Sequence, residues 1–216
     1  MQTPITRFTE LEAVNRILST VGGEKITALT SLSFTADAAY TALRDGMRDL
    51  MGNSWGFNTE IDVVLTPSGN AISLTGSTYT GVYISKIDLE PEDAGDLDVT
   101  IKGDNLYDRK THSTTAFTAA SYKATVSYYL QWEDLPEAVK AYVTALAAKD
   151  FQMQMVGNPQ IDAILTQKFA YAQSQFYAFE SQQHDYSIWD NYDTWKIVSN
   201  QGRPSIGGAH WWGSRA

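Results

Sequence analysis

Carboxylates gather most densely at Glu90, Glu92, Asp93, Asp96 and Asp98. Two such side chains at the right separation can act as acid and base in glycoside hydrolysis, and oxygen ligands of this kind also suit calcium. The spacing Asp93-x-x-Asp96-x-Asp98 lacks the alternation and closing Glu of an EF-hand loop. Acids beside Pro91 and Gly95 are ordinary turn residues, so a polar β-turn accounts for the run equally well. His112, His184 and His210 stand in separate segments without ligand spacing. No Gly-Lys-Ser/Thr phosphate loop and no Gly-x-Gly-x-x-Gly occurs. No catalytic residue, no metal ligand and no cofactor is assigned.

The composition narrows the classes further. The net charge is −9, from 25 acids against 16 bases, and no basic run exceeds two residues. Broad duplex binding needs clustered Lys and Arg, so the chain is not expected to hold DNA, though an acidic wall can let DNA pass. The absence of cysteine excludes a disulfide framework and thiolate metal sites. No apolar run has the length of a membrane span. Met1-Gln2-Thr3-Pro4 lacks a charged n-region and apolar core, so export by a standard signal is not expected.

The clearest structural signal runs from Leu135 to Gln183. Leu135-Pro136-Glu137 opens a helix, because proline lacks an N–H that would have no partner there and the acid suits the positive end of the dipole. Val139, Tyr142, Val143, Leu146, Ala147 and Phe151 follow at helical spacing. At Val156-Gly157-Asn158-Pro159, glycine can end one helix in the left-handed region. Asn158 can then cap the next, with Pro159 at its first position. Ile161, Ile164, Leu165, Phe169, Ala172, Phe176 and Phe179 form the stripe of that second helix. So short a connection predicts an antiparallel helical hairpin.

Upstream, Thr9-Glu10-Leu11-Glu12 reads as a capping box, with Leu11, Val14, Ile17, Leu18 and Val21 behind it and Gly22-Gly23 as the stop. A second helix is predicted from about Thr35 to Met51, with Ala39, Leu43, Met47, Leu50 and Met51 on its apolar face and Gly46 weakening it. Between Glu60 and Trp132 the period changes to two. Ile61, Val63 and Leu65 alternate, and strands are expected at 71–74, 78–89, 98–102, 115–119 and 122–130. Trp55 and Phe57 are expected to plug the junction of helical and β layers, and Asp108 and Arg109 to form a local pair. The fold class is α+β: a helical bundle from 1–58 and 133–183, an inserted antiparallel sheet or sandwich over 59–132, and a tail over 184–216.

That tail is rich in rings. Tyr186, Trp189, Tyr192 and Trp195 fall at every third position, and Trp211 and Trp212 follow among glycines. Large aromatics on so polar a segment are expected to bind a partner.

Several of these pieces together resemble the tail tubular protein A family, the head-to-tail adaptors of short-tailed phages. They are 11–18 followed by Val21-Gly22, the alanine-rich second helix ending in Trp55-x-Phe57-Asn58, and Tyr107-Asp108-Arg109. Leu135-Pro136-Glu137 leading to Ala147, Ala148 and Phe151, then Gly157-x-Pro159, completes the ordered set over roughly 8–183. The resemblance implies a non-enzymatic virion protein of the phage tail, assembled in the host cytoplasm. It implies a homo-oligomeric ring, a dodecamer, between the portal protein and the tail nozzle protein. Double-stranded DNA would pass through it without sequence-specific binding, and no membrane is involved. The helical part would face the portal and the β part the nozzle. The tail beyond about His184 departs from that pattern. Two alternatives stay open: a carbohydrate-active tail enzyme using the Glu90–Asp98 cluster, and a monomeric assembly adaptor.

Overall fold

The first helix begins where the sequence offers a reciprocal cap. The Glu12 amide donates to the Thr9 hydroxyl at 3.2 Å, and the Thr9 amide donates to the Glu12 carboxylate at 2.9 Å. Two of the otherwise orphaned donors of the helix start are thereby satisfied. In this computed structural model, which describes residues 6–74, 83–90 and 95–183, α1 spans Glu10–Ser19 and α2 spans Phe34–Met51. The chain divides into two units, Met1–Gln183 and His184–Ala216, and every described residue belongs to the first. Between α1 and α2, Asn15 holds the long connection by gripping the Ile26 backbone from both sides, at 2.8 and 2.9 Å.

Two further helices, α3 over Glu137–Met155 and α4 over Pro159–Gln183, form the hairpin. Pro136 takes the capping position of α3 itself, and Glu137 is its first residue. Gly157 has φ +63°, and its amide donates to the Gln152 carbonyl at 2.9 Å. The Asn158 carboxamide oxygen accepts from the Gln160 amide at 2.9 Å, and Pro159 opens α4.

Among the described residues the β region holds five strands: β1 Thr59–Leu65, β2 Tyr83–Leu89, β3 Val99–Lys102, β4 Asn105–Asp108 and β5 Tyr122–Tyr129. β5 lies between β1 and β2, antiparallel to both, while β3 and β4 make a separate hairpin around Gly103 and Asp104. Gly103 supplies the positive φ (+61°) that so tight a turn requires. The architecture is α+β, as the switch of hydrophobic period predicts.

Three local expectations are corrected. Residues 115–119 are irregular rather than a strand: Phe117 is buried and its amide donates to the Asn70 carbonyl at 3.1 Å. Residues 71–74 make only isolated bridges, with Ile72 and Leu74 filling core space. Ile61 is exposed because Asp62 adopts φ +60° and the register of β1 slips between Glu60 and Val63. A bulge of this kind reverses the alternation ahead of it.

Two apolar clusters result. One gathers Ile17, Leu43, Val139, Phe151 and Phe176 from the four helices, and the other Leu65, Ile87, Leu106, Phe117 and Val126 from the β region. Asn58, in the 3-10 turn Gly56–Asn58, joins the end of α2 to β5.

Candidate functional site

The helical hairpin builds the surface best suited to meeting another molecule. α4 buries Leu165, Ala172 and Phe176 and leaves Ile164 and Tyr171 exposed by 56% and 68%. Ile164 was placed on the buried stripe by its spacing, but that stripe is narrower than the run of apolar residues. Met153, Met155 and Val156 add exposed apolar surface at the α3–α4 corner. Apolar groups so grouped on a helical face are characteristic of surfaces that pair with a partner.

Phe176 anchors this helix. Its ring centroid lies 4.9 Å from those of Trp55 and Tyr142, edge-on to the first and stacked on the second, and 6.3 Å from that of Phe57. Trp55 and Phe57 thus pack onto α4, and the Gly56 amide donates to the Glu180 carboxylate at 2.9 Å. The two rings, expected between the helical and β layers, pack against α4 within the helical cluster.

Between α1, α3 and α4 lies a groove of about 650 Å³. Ala141, Thr144, Ala145 and Ala148 line it from α3, and Arg16 and Lys168 stand on its rim. No carboxylate is among its lining residues. A second cleft, of about 560 Å³, lies among Glu10, Tyr40, Arg44, Trp132 and Glu133. Burial pushes the Glu10 carboxyl above its usual range and the nearby Glu133 adds to this, while Arg44 and a Tyr40 hydrogen bond oppose it.

The acidic run is dispersed into structural roles. Asp98 accepts from Arg109 Nη2 at 2.5 Å, Asp96 pairs with Lys110, and Glu90 accepts from the Thr125 hydroxyl at 2.8 Å. Glu92 and Asp93 lie outside the described residues. The expected Asp108–Arg109 pair is replaced by Asp98–Arg109, because Asp108 turns inward. It accepts from the Thr111 hydroxyl at 2.6 Å and from the amides of Asp98, Lys110 and Thr111. The Thr111 hydroxyl first, then these amides, hold the Asp108 carboxyl well below the usual carboxylate range.

Gly52-Asn53-Ser54-Trp55-Gly56 matches the spacing of a hydrolase nucleophile elbow, but the context is reversed. Ser54 follows a helix and precedes a strand, and its hydroxyl accepts from Ser127 Oγ at 2.9 Å. His112 is exposed in a loop at φ +55°, and among the described residues no group of His, Asp and Glu could hold a metal. No helix among them is long and apolar enough to cross a membrane. Tyr186, Trp189, Tyr192, Trp195, Trp211 and Trp212 lie outside the described residues. The groove with Arg16 and Lys168 was not foreseen, since its residues come from three helices and carry no shared sequence period.

Curated proteins yield no match to the chain. The model of one family, described as tail tubular protein, matches residues 11–186, well over half the length. The chain belongs to the tail tubular protein family, structural proteins of the bacteriophage tail.

Proposed function

We propose that this chain is a head-to-tail adaptor subunit that closes into a ring of about twelve copies between portal protein and tail nozzle protein. The ring forms part of the channel through which double-stranded DNA leaves the capsid, and it carries no catalytic activity. The helical segments 1–58 and 133–183 face the portal and the β segment 59–132 contacts the nozzle. Tyr186, Trp189, Tyr192, Trp195, Trp211 and Trp212 anchor the tail to a neighbouring subunit or to the portal. Assembly takes place in the host cytoplasm.

One observation carries this reading beyond family membership. α4 and the α3–α4 corner leave Ile164, Tyr171, Met153 and Val156 exposed, on a hairpin whose inner side is firmly packed. A ring needs two unlike faces on each subunit, and an apolar helical face together with a β region can supply them. The test is native mass measurement and electron microscopy of this chain mixed with the portal protein of the same genome. A closed ring of about twelve copies seated on the portal is expected. A single bound copy, or no binding, overturns the reading.

A further inference from the structure

The groove between α1, α3 and α4 differs in charge from the chain that makes it. Against 25 acids and 16 bases overall, its lining holds Arg16 and Lys168 and no carboxylate. Its α3 side is floored by alanines and Thr144, whose hydroxyl is occupied by the Lys140 carbonyl at 2.7 Å. Small side chains there leave room for large ones, and the two cations at the rim are exposed. Such a site suits aromatic rings flanked by acids.

The same chain encodes that complement. Residues 184–195 carry Tyr186, Trp189, Tyr192 and Trp195 at every third position, with Asp185 just before them, Asp190 and Asp193 between them and no Lys or Arg. We propose that the groove receives the 184–195 segment of a second copy of this chain. The rings lie on the alanine floor, and Asp190 and Asp193 face Arg16 and Lys168. Because groove and segment are different parts of one sequence, the contact is heterologous and passes from copy to copy around a ring. Twelve extended residues reach at most about 40 Å, roughly the width of a domain of this size, so an adjacent copy is within range. The inference rests on the ring reading above and names the partner of the tail within it.

The absence of cysteine makes a direct test possible. Full-length copies with Ala145→Cys are mixed with isotopically heavy copies bearing Asn191→Cys, assembled on the portal protein and mildly oxidised. A disulfide joining one light and one heavy chain is expected, while Lys102→Cys in place of Ala145→Cys gives none. Closed rings without that link, or links only between chains of the same isotopic form, overturn this inference and leave the adaptor reading standing. Failure of the unmodified chain to form rings overturns both. As a second measurement, Arg16→Glu with Lys168→Glu weakens ring assembly at least tenfold, and adding Asp190→Lys with Asp193→Lys restores it. Unchanged assembly in the first variant, or no recovery in the second, also counts against the proposal.

Discussion

Asn58 Nδ2 donates to the Tyr128 carbonyl at 3.0 Å, so a single buried carboxamide fastens the end of α2 to the penultimate residues of β5. The same nitrogen also reaches the Met51 and Asn53 carbonyls at 3.1 and 3.3 Å, and Oδ1 accepts the Trp55 amide at 2.9 Å. Asn58→Ala strands the Met51 and Tyr128 carbonyls in buried surroundings. The expected loss is roughly 3 kcal/mol, seen as a fall of about 6–12 °C in the unfolding midpoint. A fall under about 2 °C would mean that water replaces the side chain at little cost.

Phe176 carries the packing of α4 on the rest of the helical cluster. Phe176→Ala removes a fully buried ring with four aromatic neighbours and is expected to cost about 3–5 kcal/mol in denaturant unfolding. Phe176→Leu keeps most of the volume and costs less than half as much. Equal losses for the two would show that the ring contacts, not the filled space, dominate.

Gly46 sits inside α2 facing α3, yet it is not required for close approach. A Cβ built there meets Val143 Cγ1 at 3.5 Å, an ordinary contact. Gly46→Ala therefore stabilises the protein by about 1 kcal/mol through helix propensity alone. A lowered midpoint in thermal unfolding would refute this.

Asp108 makes stability depend on acid. Its folded carboxyl titrates below the range of an unfolded aspartate, about 3.9. The stabilisation it gives is complete above that value and disappears as pH falls toward the folded one. Asp108→Asn, which places a donor where the carboxylate accepts four hydrogen bonds, is destabilised at pH 7. The gap between variant and native midpoints narrows below about pH 4. A gap constant from pH 7 to pH 3 would assign the effect to something other than charge.

Trp189→Ala combined with Trp195→Ala is expected to weaken assembly on the portal by roughly a hundredfold or more, as loss of two central aromatic anchors does. Titration followed by native mass reads it directly. Unchanged assembly would remove the tail from the interface.

Much of the fold is written locally in the sequence. Thr9 with Glu12, and Gly157 with Asn158 and Pro159, mark helix ends because capping depends on neighbours a few residues apart. The alternation of the β region was legible in class but not in register. Asp62 enters the left-handed region and flips Ile61 outward, which no hydrophobic pattern announces. Phe117 looked like a strand residue because it is buried, yet burial can be met by irregular chain whose amide finds a carbonyl at Asn70. The β3–β4 hairpin was obscured because Asn105–Asp108 reads as turn chemistry. Buried polar groups such as Lys140 and Gln152 within α3 also escaped, since apolar spacing counts only apolar residues. The groove is the extreme case: Arg16 and Lys168 line one groove because α1 and α4 both pack on α3.

Thr59 and Ser127 are register partners on β1 and β5, with their hydroxyls 3.0 Å apart. The chain therefore departs from the helices and comes back to them at almost one point. For a polymer, an excursion with pinned ends can lengthen cheaply, since doubling such a loop costs only about 0.6 kcal/mol in closure entropy. The region between Thr59 and Ser127 can thus gain, lose or exchange material while the helices feel little change. A lineage that must fit new neighbours on one side and keep old ones on the other has, in this hinge-like doorway, a place to vary.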